Sequence, residues 1–466
     1  MRARGSVLLG VASLWVFIFV ASEAWAIPSW ARKYGTSCST CHVAYPKLNY
    51  FGKAFRNNGY RFPEGGDQAA TKETPLSLGA EGYKKLFPRA LWPSDMPGNV
   101  PLSVRVVSRV NLFEDEQTAS FEFPHEVELL SGGTLGETFS FFTEIEIEDE
   151  DNDLELAVDA VIQYDPRPWL HVRMGTVHPH PISDHLRLTA AHYSPYDTRT
   201  TPGSLSLRAD NPNGSTATLS ISASTEEDRW RFRDGQAGVE LWGARNGSDG
   251  KGGLTWSLGL VNGQGLVDAN DRKDFFARAG YKFGGYGELG GGELSQDLEF
   301  WRDDSLKVGA FFYTGKSTNT YEGSTTALSG TPGTGLVTVS ADALIENAFD
   351  VVGFDFDWWM RDLNVFGLYL RQSDDDPRGS GESIDTDAWF VEGNYVFYPW
   401  LIGILRYGQT SQDFEIRPDP ENQKFLVPAL TLMARANVKF VIEAQMRLDD
   451  PGQGHDRYIL AADFGF

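Results

Sequence analysis

From about residue 102 to its last residue, the chain alternates apolar and polar side chains with period two, segment after segment. The clearest segment is Val438, Phe440, Ile442, Ala444, Met446 and Leu448, interleaved with Lys439, Val441, Glu443, Gln445, Arg447 and Asp449. Successive side chains of a strand point to opposite faces, so this segment predicts a strand with one apolar and one mostly charged face. Similar alternation runs through 139–147, 154–164, 275–283 and 363–369, and the chain ends in Tyr458, Leu460, Ala462, Phe464 and Phe466. Short turns at Asp165-Pro166-Arg167-Pro168, Arg361-Asp362, Tyr398-Pro399-Trp400 and Arg435-Ala436-Asn437 interleave with longer polar segments at 178–203, 317–346, 374–384, 412–423 and 450–456. Outer-membrane barrels place short turns in the periplasm and long loops outside, and their strands have this length. The pattern predicts a mainly β protein with a C-terminal transmembrane antiparallel β-barrel over 101–466, of about 16–18 strands. The doubtful pair lies near 204–224, and a soluble β-sandwich or propeller is the competing architecture.

The N-terminal hundred residues read differently. Arg2 and Arg4, the apolar stretch Val7 to Val20 and the small-x-small site Ala24-Trp25-Ala26 predict a signal peptide over 1–26. No later run is long and apolar enough for a transmembrane helix. Residues 27–100 form a small, partly helical module, with Leu48, Phe51 and Phe55 spaced for one helix face after Pro46, and Asn58-Gly59 as its stop.

That module holds both cysteines of the chain, in Cys38-Ser39-Thr40-Cys41-His42. C-x-x-C-H is the attachment sequence for c-type haem: two thiols reach the two vinyl groups of one porphyrin, and the adjacent imidazole ligates the iron. A redox disulfide and half of a zinc site compete, but zinc would need further ligands that lie nowhere nearby in sequence. The expectation is one covalently bound haem c, held by Cys38 and Cys41 with His42 on iron. Met96, in a Pro-flanked loop, is the expected second axial ligand; His171, His178, His180, His185 and His192 compete for that role.

Acids exceed bases 64 to 41, giving a formal charge of -23, which excludes a nucleic-acid partner and favours cations. Three acidic clusters, Glu144 to Asp153 with seven carboxylates, Glu114 to Glu116 and Asp374 to Asp376, fall outside by the turn parity. Carboxylates suit Fe²⁺ and Mn²⁺, although solvated loop charge is the commoner role of such clusters. His178-Pro179-His180 is a weak candidate metal pair.

At Ile27-Pro28-Ser29-Trp30-Ala31-Arg32, Cys38 to His42, Leu48 to Arg56 and Gly59-Tyr60, the chain resembles the fused outer-membrane monohaem cytochrome c-porins of iron-oxidising bacteria. The motifs span about 35 residues. The resemblance implies one N-terminal haem c module joined to a C-terminal barrel of this length; with the strand pattern the expectation is an integral barrel in the outer membrane of a Gram-negative bacterium, in contact with its lipid, and 16–18 strands leave room for the module to plug the lumen. It also implies oxidation of extracellular Fe(II), with electrons passed to a periplasmic c-type cytochrome. An outward conduit to external acceptors and a solute porin with a cytochrome appendage are the competing functions.

Overall fold

A computed structural model of the chain describes residues 29–79, 81–113, 118–150, 153–183, 186–190, 205–210, 216–223, 235–263, 272–291, 299–327, 337–376, 383–414, 421–449 and 456–466. The signal peptide expected over 1–26 lies outside the described residues. Two short strands, β1 (His42–Ala44) and β2 (Lys47–Leu48), form a small hairpin in the N-terminal segment. The large sheet begins with β3 (Leu102–Phe113), β4 (Thr118–Leu135), β5 (Phe139–Glu150), β6 (Asp153–Arg167) and β7 (Leu170–Val177). A hairpin of β8 (Leu205–Asp210) and β9 (Thr216–Ala223) follows. Then come β10 (Gln236–Asn246), β11 (Gly253–Val261), β12 (Asp274–Gly284), β13 (Ser305–Ala327), β14 (Val337–Met360) and β15 (Leu363–Asp374). The sheet ends with β16 (Ile384–Tyr398), β17 (Leu401–Phe414), β18 (Glu421–Arg435), β19 (Val438–Arg447) and β20 (Arg457–Gly465).

Every neighbouring pair is antiparallel. β7 pairs directly with β10, and β20 pairs with β3, so β3–β7 and β10–β20 close into a barrel of 16 strands. The β8–β9 hairpin stands apart from this ring, with β9 pairing along the far extension of β13 from Tyr321 to Thr326. That resolves the doubtful pair near 204–224: it is strand, but not barrel wall.

The barrel is apolar outside and polar inside. On β16, Val391, Tyr395 and Phe397 are exposed while Glu392 and Asn394 between them are buried. On β14, Phe354, Trp358 and Met360 face out, and Asp355, Asp357 and Trp359 face in. On β19, Lys439, Val441 and Glu443 are the buried set and Ile442 the exposed one. A water-soluble barrel would expose the charges and bury the apolar rows; a contiguous apolar belt of this extent requires lipid around it. Closure also leaves no sheet edge unpaired, the condition for strands in hydrocarbon. No helix among the described residues is long and apolar enough to cross a membrane. The protein is an integral barrel of the outer membrane.

Both ends of the barrel sequence lie at one rim, which carries the tight turns at 168–169, 361–362, 399–400 and 436–437. By the usual asymmetry this is the periplasmic rim. The connection 285–304 is the long exception there, and it packs against the N-terminal segment through Tyr286 and Tyr50. At the opposite rim the expected long loop at 317–346 is largely absent. β13 and β14 stay paired from Ser305↔Trp359 to Ala327↔Val337, and only 328–336 falls outside the described residues. Polar residues beyond the lipid still pair as strands, since backbone hydrogen bonds rather than apolar contrast hold them.

The helix Tyr50–Asn57 starts later than Pro46 suggested. Asn49 caps it, accepting from the Gly52 N–H, while Pro46 sits in the β1–β2 turn. Its end at Asn58, with Gly59 at φ +67, is where the sequence put it.

An arginine on the lipid face should be costly. Leu258→Arg on β11, whose side chain is exposed to lipid, is expected to lower folding stability by roughly 2–4 kcal/mol if it lies at the bilayer midplane and less toward a rim. Urea titration of refolding into vesicles, read by heat-modifiable mobility, measures it; an unchanged midpoint would mean that this face is not in hydrocarbon.

Candidate functional site

The N-terminal segment is built around its aromatic residues. Trp30 stacks on Tyr60 with ring centres 5.0 Å apart and on Phe142 of β5 at 6.2 Å, and meets Phe55 edge-on. Ser37 caps the one-turn helix Cys38–Thr40, and Asn49 donates to the carbonyls of Ser39 and Thr40. Gly52 lies against the motif so closely that a Cβ there would stand 2.1 Å from the Cys41 carbonyl oxygen. The Tyr50–Asn57 helix is thus laid directly on the cysteine turn.

Its contacts beyond itself are with inward-facing barrel residues near the periplasmic rim. Lys53 reaches Asp357 of β14 at 2.7 Å, Arg61 reaches Asp165 at 3.2 Å, and Asn57 donates to Glu288. Lys439 of β19 donates to the Tyr45 carbonyl at 2.6 Å, and the buried Lys47 ammonium lies 3.8 Å from the centre of the Phe366 ring. A second segment comes from the opposite rim. Ser183 donates to Asp355, Ala190 donates to Glu443, and Leu188 packs with Val43, Trp301, Trp359 and Ile402. On the β11–β16 side a buried apolar cluster including Phe276, Tyr313, Phe349 and Phe390 fills the interior.

What stays open is a cavity of about 1080 Å³ whose lining includes Cys38, Cys41, His42, Trp30 and luminal residues of β3–β6. Cofactor-sized pockets have volumes of several hundred to about 1,000 Å³. The three motif residues therefore open into a space that can hold a porphyrin. The His42 Nδ1 lies 3.0 Å from the Pro46 carbonyl. A carbonyl only accepts, so Nδ1 carries the proton in that bond and a neutral ring has its lone pair on Nε2, the orientation metal-ligating imidazoles use. Burial raises the pKa of Cys38 and pushes that of Cys41 up to about 12, so both thiols are neutral at ordinary pH. Trp30 keeps a buried indole N–H with no acceptor among the described residues, as expected of a wall that awaits a polar ligand. The donor set and the cavity fit a haem.

Met96 is not brought to this cavity among the described residues. Its backbone pairs with Leu76 in a short bridge, and its half-buried side chain belongs to the segment before β3. Of the competing histidines, His178 and His180 line the cavity, stacked with ring centres 5.9 Å apart. His171 is held between Asp165 and the carbonyls of Asn57 and Pro168. His185 and His192 lie outside the described residues.

The acidic clusters differ from the expectation. Glu144, Glu146 and Glu148 are not loop residues: they occupy alternate positions of β5, between the outward Ile145 and Ile147, and line the cavity. Asp374 is a buried strand end that accepts from Asn347. Glu114 to Glu116 lie outside the described residues. Sequence reasoning also missed Arg105, which bonds Glu126 and Glu128 of β4 and Asp463 of β20, and lies over the Tyr45 ring at 5.3 Å. Its only sequence signal was an arginine in an alternating strand.

No family model and no curated protein matches the chain. Among solved structures it is similar to a loop-L8 deletion mutant of OmpT, an outer membrane protein of Vibrio cholerae, at 12% identity and a TM-score of 0.47, covering 78% of this chain and 98% of that one. It is similar to the outer membrane channel DcaP of Acinetobacter baumannii at 13% identity and a TM-score of 0.44, covering 78% and 96%. The anion-selective porin from Comamonas acidovorans gives 9% identity and a TM-score of 0.45, covering 78% and 98%.

The Lys53–Asp357 pair supplies a test of the docking. Among the described residues Lys53→Met leaves the buried Asp357 with its Asn364 hydrogen bond and the more distant Lys47 charge, and should destabilise the protein by roughly 3–5 kcal/mol. Lys53→Met/Asp357→Asn should recover much of that loss, measured by denaturant unfolding in detergent. Equal losses in the single and double variants would show that the pair does not fix the segment.

Proposed function

We propose that this protein is an outer-membrane electron conduit: the N-terminal module, carrying one haem c on Cys38, Cys41 and His42, plugs the lumen, takes electrons from extracellular Fe(II) and passes them to a periplasmic c-type cytochrome. One observation carries it. The C-x-x-C-H motif opens into a cavity shared with luminal barrel residues, while its supporting helix is ion-paired to the barrel wall at Asp357.

The bound haem would supply reversible one-electron chemistry. The chain's own work is positional. Cys38 and Cys41 would hold the group as thioethers, each S–H adding across one vinyl group with nothing lost, and the Pro46 carbonyl orients His42, which would ligate the iron. Fe(III) products are poorly soluble near neutral pH, so only the electron should cross. A haem inside the barrel divides a membrane band of about 25 Å into two shorter steps. The apolar cluster around Phe276 and Phe390 and the segment 186–190 leave the interior crowded, which weighs against free solute flow. A sixteen-strand wall is nevertheless the size that encloses porin channels, so a solute porin is the second reading. Single-channel conductance of ordinary porin size would favour it and remove the plug.

Two expected outcomes test the conduit. Cys41→Ala should abolish normal haem staining of the purified chain, and Fe(II) mixed with wild-type protein should reduce its haem in stopped-flow. Failure of Fe(II), with a small organic reductant succeeding, would sink the iron-oxidase reading and favour an outward conduit to external acceptors. For the second axial position Met96→Ala decides between the sequence expectation and the placement of Met96 away from the cavity lining: loss of a thioether spectral signature and a lower potential at unchanged haem content would assign it to Met96. An unaltered spectrum would pass the role to His178, His180 or water.

A further inference from the structure

We infer that residues 77–95 form a lipid-binding loop, which seats its apolar side chains in the periplasmic leaflet of the outer membrane and holds phospholipid phosphates with Lys85 and Arg89. The inference stands on the barrel and is independent of the haem. The loop is closed at its base, where Leu76 and Met96 exchange both backbone hydrogen bonds, at 2.9 and 3.0 Å. Above that base Trp92 packs over Gly79, which has φ +84 and whose Cβ, if it had one, would stand 2.2 Å from the indole. Only glycine suits such a position. The base is also bonded to the N-terminal module. The amides of Lys72 and Glu73 donate to the Lys33 carbonyl, and Arg32 donates to the carbonyls of Val100 and Leu102.

The base lies on the outside of the barrel wall. Gly133, Phe141, Ile162 and Met174 are successive register partners across β4 to β7. Ile162 and Met174 are exposed, so this row belongs to the lipid face. A Cβ on Gly133 would stand 3.0 Å from the Pro97 ring. Pro97 therefore covers the outer face of β4, two residues from the strand end at Leu135 and so roughly 7 Å from the rim. Beside it the Gly136 amide, in the β4–β5 turn, donates to the Asp95 carbonyl. The loop thus leaves the wall from its lipid side, at the level where the apolar belt gives way to headgroups on the periplasmic side.

Its side chains match that level. The short helix Glu81–Leu86 carries its last turn on to Phe87, whose amide donates to the Tyr83 carbonyl. Tyr83, Leu86 and Phe87, at i, i+3 and i+4, share one face; each is more than half exposed, and Leu91 is wholly exposed. Large apolar side chains displayed together on one loop mark a contact surface, and this one continues the lipid belt of the barrel. The charge is complementary as well. Lys84 pairs with Glu81 at 3.6 Å, while Lys85 and Arg89 have no ion-pair partner among the described residues. In a chain of formal charge -23, two unpaired cations beside an exposed apolar face are a local reversal of sign. Basic residues next to an apolar face are what anionic headgroups attract.

The test is photo-labelling of the full mature protein, as purified, in nanodiscs of phosphatidylethanolamine and phosphatidylglycerol. A trace of phosphatidylglycerol carries a photoactivatable acyl chain, and adducts are mapped by peptide mass spectrometry. Peptides from 77–95 should be labelled alongside those of the barrel belt at 401–414. In Lys85→Gln/Arg89→Gln, loop labelling by this anionic probe should fall about fivefold or more relative to the belt, and labelling by a phosphatidylcholine probe should fall much less. Leu86→Ser/Phe87→Ser should lose loop labelling with both probes. Both variants change exposed side chains only, and unaltered heat-modifiable mobility confirms that their barrels are folded. Belt labelling without loop labelling in the wild type, or loop labelling indifferent to both variants, would overturn the inference. Loop cross-links to a second copy of the chain in place of lipid would overturn it too, and make this surface an interface between copies.

Discussion

The structure depends on the seam where β20 returns to β3. Lipid cannot satisfy a strand edge, so the sheet must close, and here it closes through nine register pairs from Arg457↔Phe113 to Gly465↔Arg105. The seam carries its own ionic lock. Arg105 holds the carboxylate of Asp463 with two nitrogens, and Lys439 approaches the same carboxylate at 2.9 Å. Those two cations are also the hands that hold the N-terminal segment, Lys439 through the Tyr45 carbonyl and Arg105 across the Tyr45 ring. Barrel closure and seating of the motif are therefore one arrangement. A chain whose last strand had not yet paired would lack the site for the module as well.

Period two made the barrel legible because the two faces meet different solvents. Where they do not, the signal failed. The residues of β13 and β14 beyond Lys316 and Ala348 read as a long loop because neither face there is apolar, yet their register continues for eleven further pairs. Glu144 to Asp153 read as loop charge for the converse reason: the inward face of β5 meets a wet cavity, where a run of carboxylates looks like a solvated surface. Ile145 and Ile147 between them were the sign of a strand. Strand count stayed open by two because the β8–β9 hairpin alternates like barrel wall in sequence, yet β7 pairs with β10 in the ring and β9 with the extension of β13.

The candidate site was legible only where its residues are contiguous. Cys38, Cys41 and His42 announce themselves within five positions, and the cavity beside them fits the group they suggest. Ser37, Pro46 and Asn49 orient them locally, but what docks their segment to the barrel is remote. Lys53 and Asp357 are 304 residues apart, and Lys439 and Tyr45 are 394 apart. Single-chain spacing carries no information about such pairs. Met96 shows the limit of spacing from the other side: it is near the module in sequence, while its backbone pairs with Leu76 and it is not among the residues lining the cavity.

The interior is asymmetric, and the asymmetry divides labour. On one wall, β11–β16, an aromatic and aliphatic cluster packs inward beside charged residues such as Asp355, Asp357 and Glu392; the β3–β6 wall presents charge to a cavity with no such cluster on it. A uniform polar lumen would let water and ions pass everywhere. A uniform apolar one would leave the buried charges of the module without partners. Filling one side with Phe276, Tyr313, Phe349 and Phe390 removes space for solutes, while the other side keeps a polar lane only as wide as the remaining cavity. The N-terminal segment lies across the periplasmic end of that lane, tied to both walls by Lys53 at β14 and by Lys439 at β19. Whatever enters that lane from outside therefore meets the Cys-His turn and its supporting helix before the periplasm.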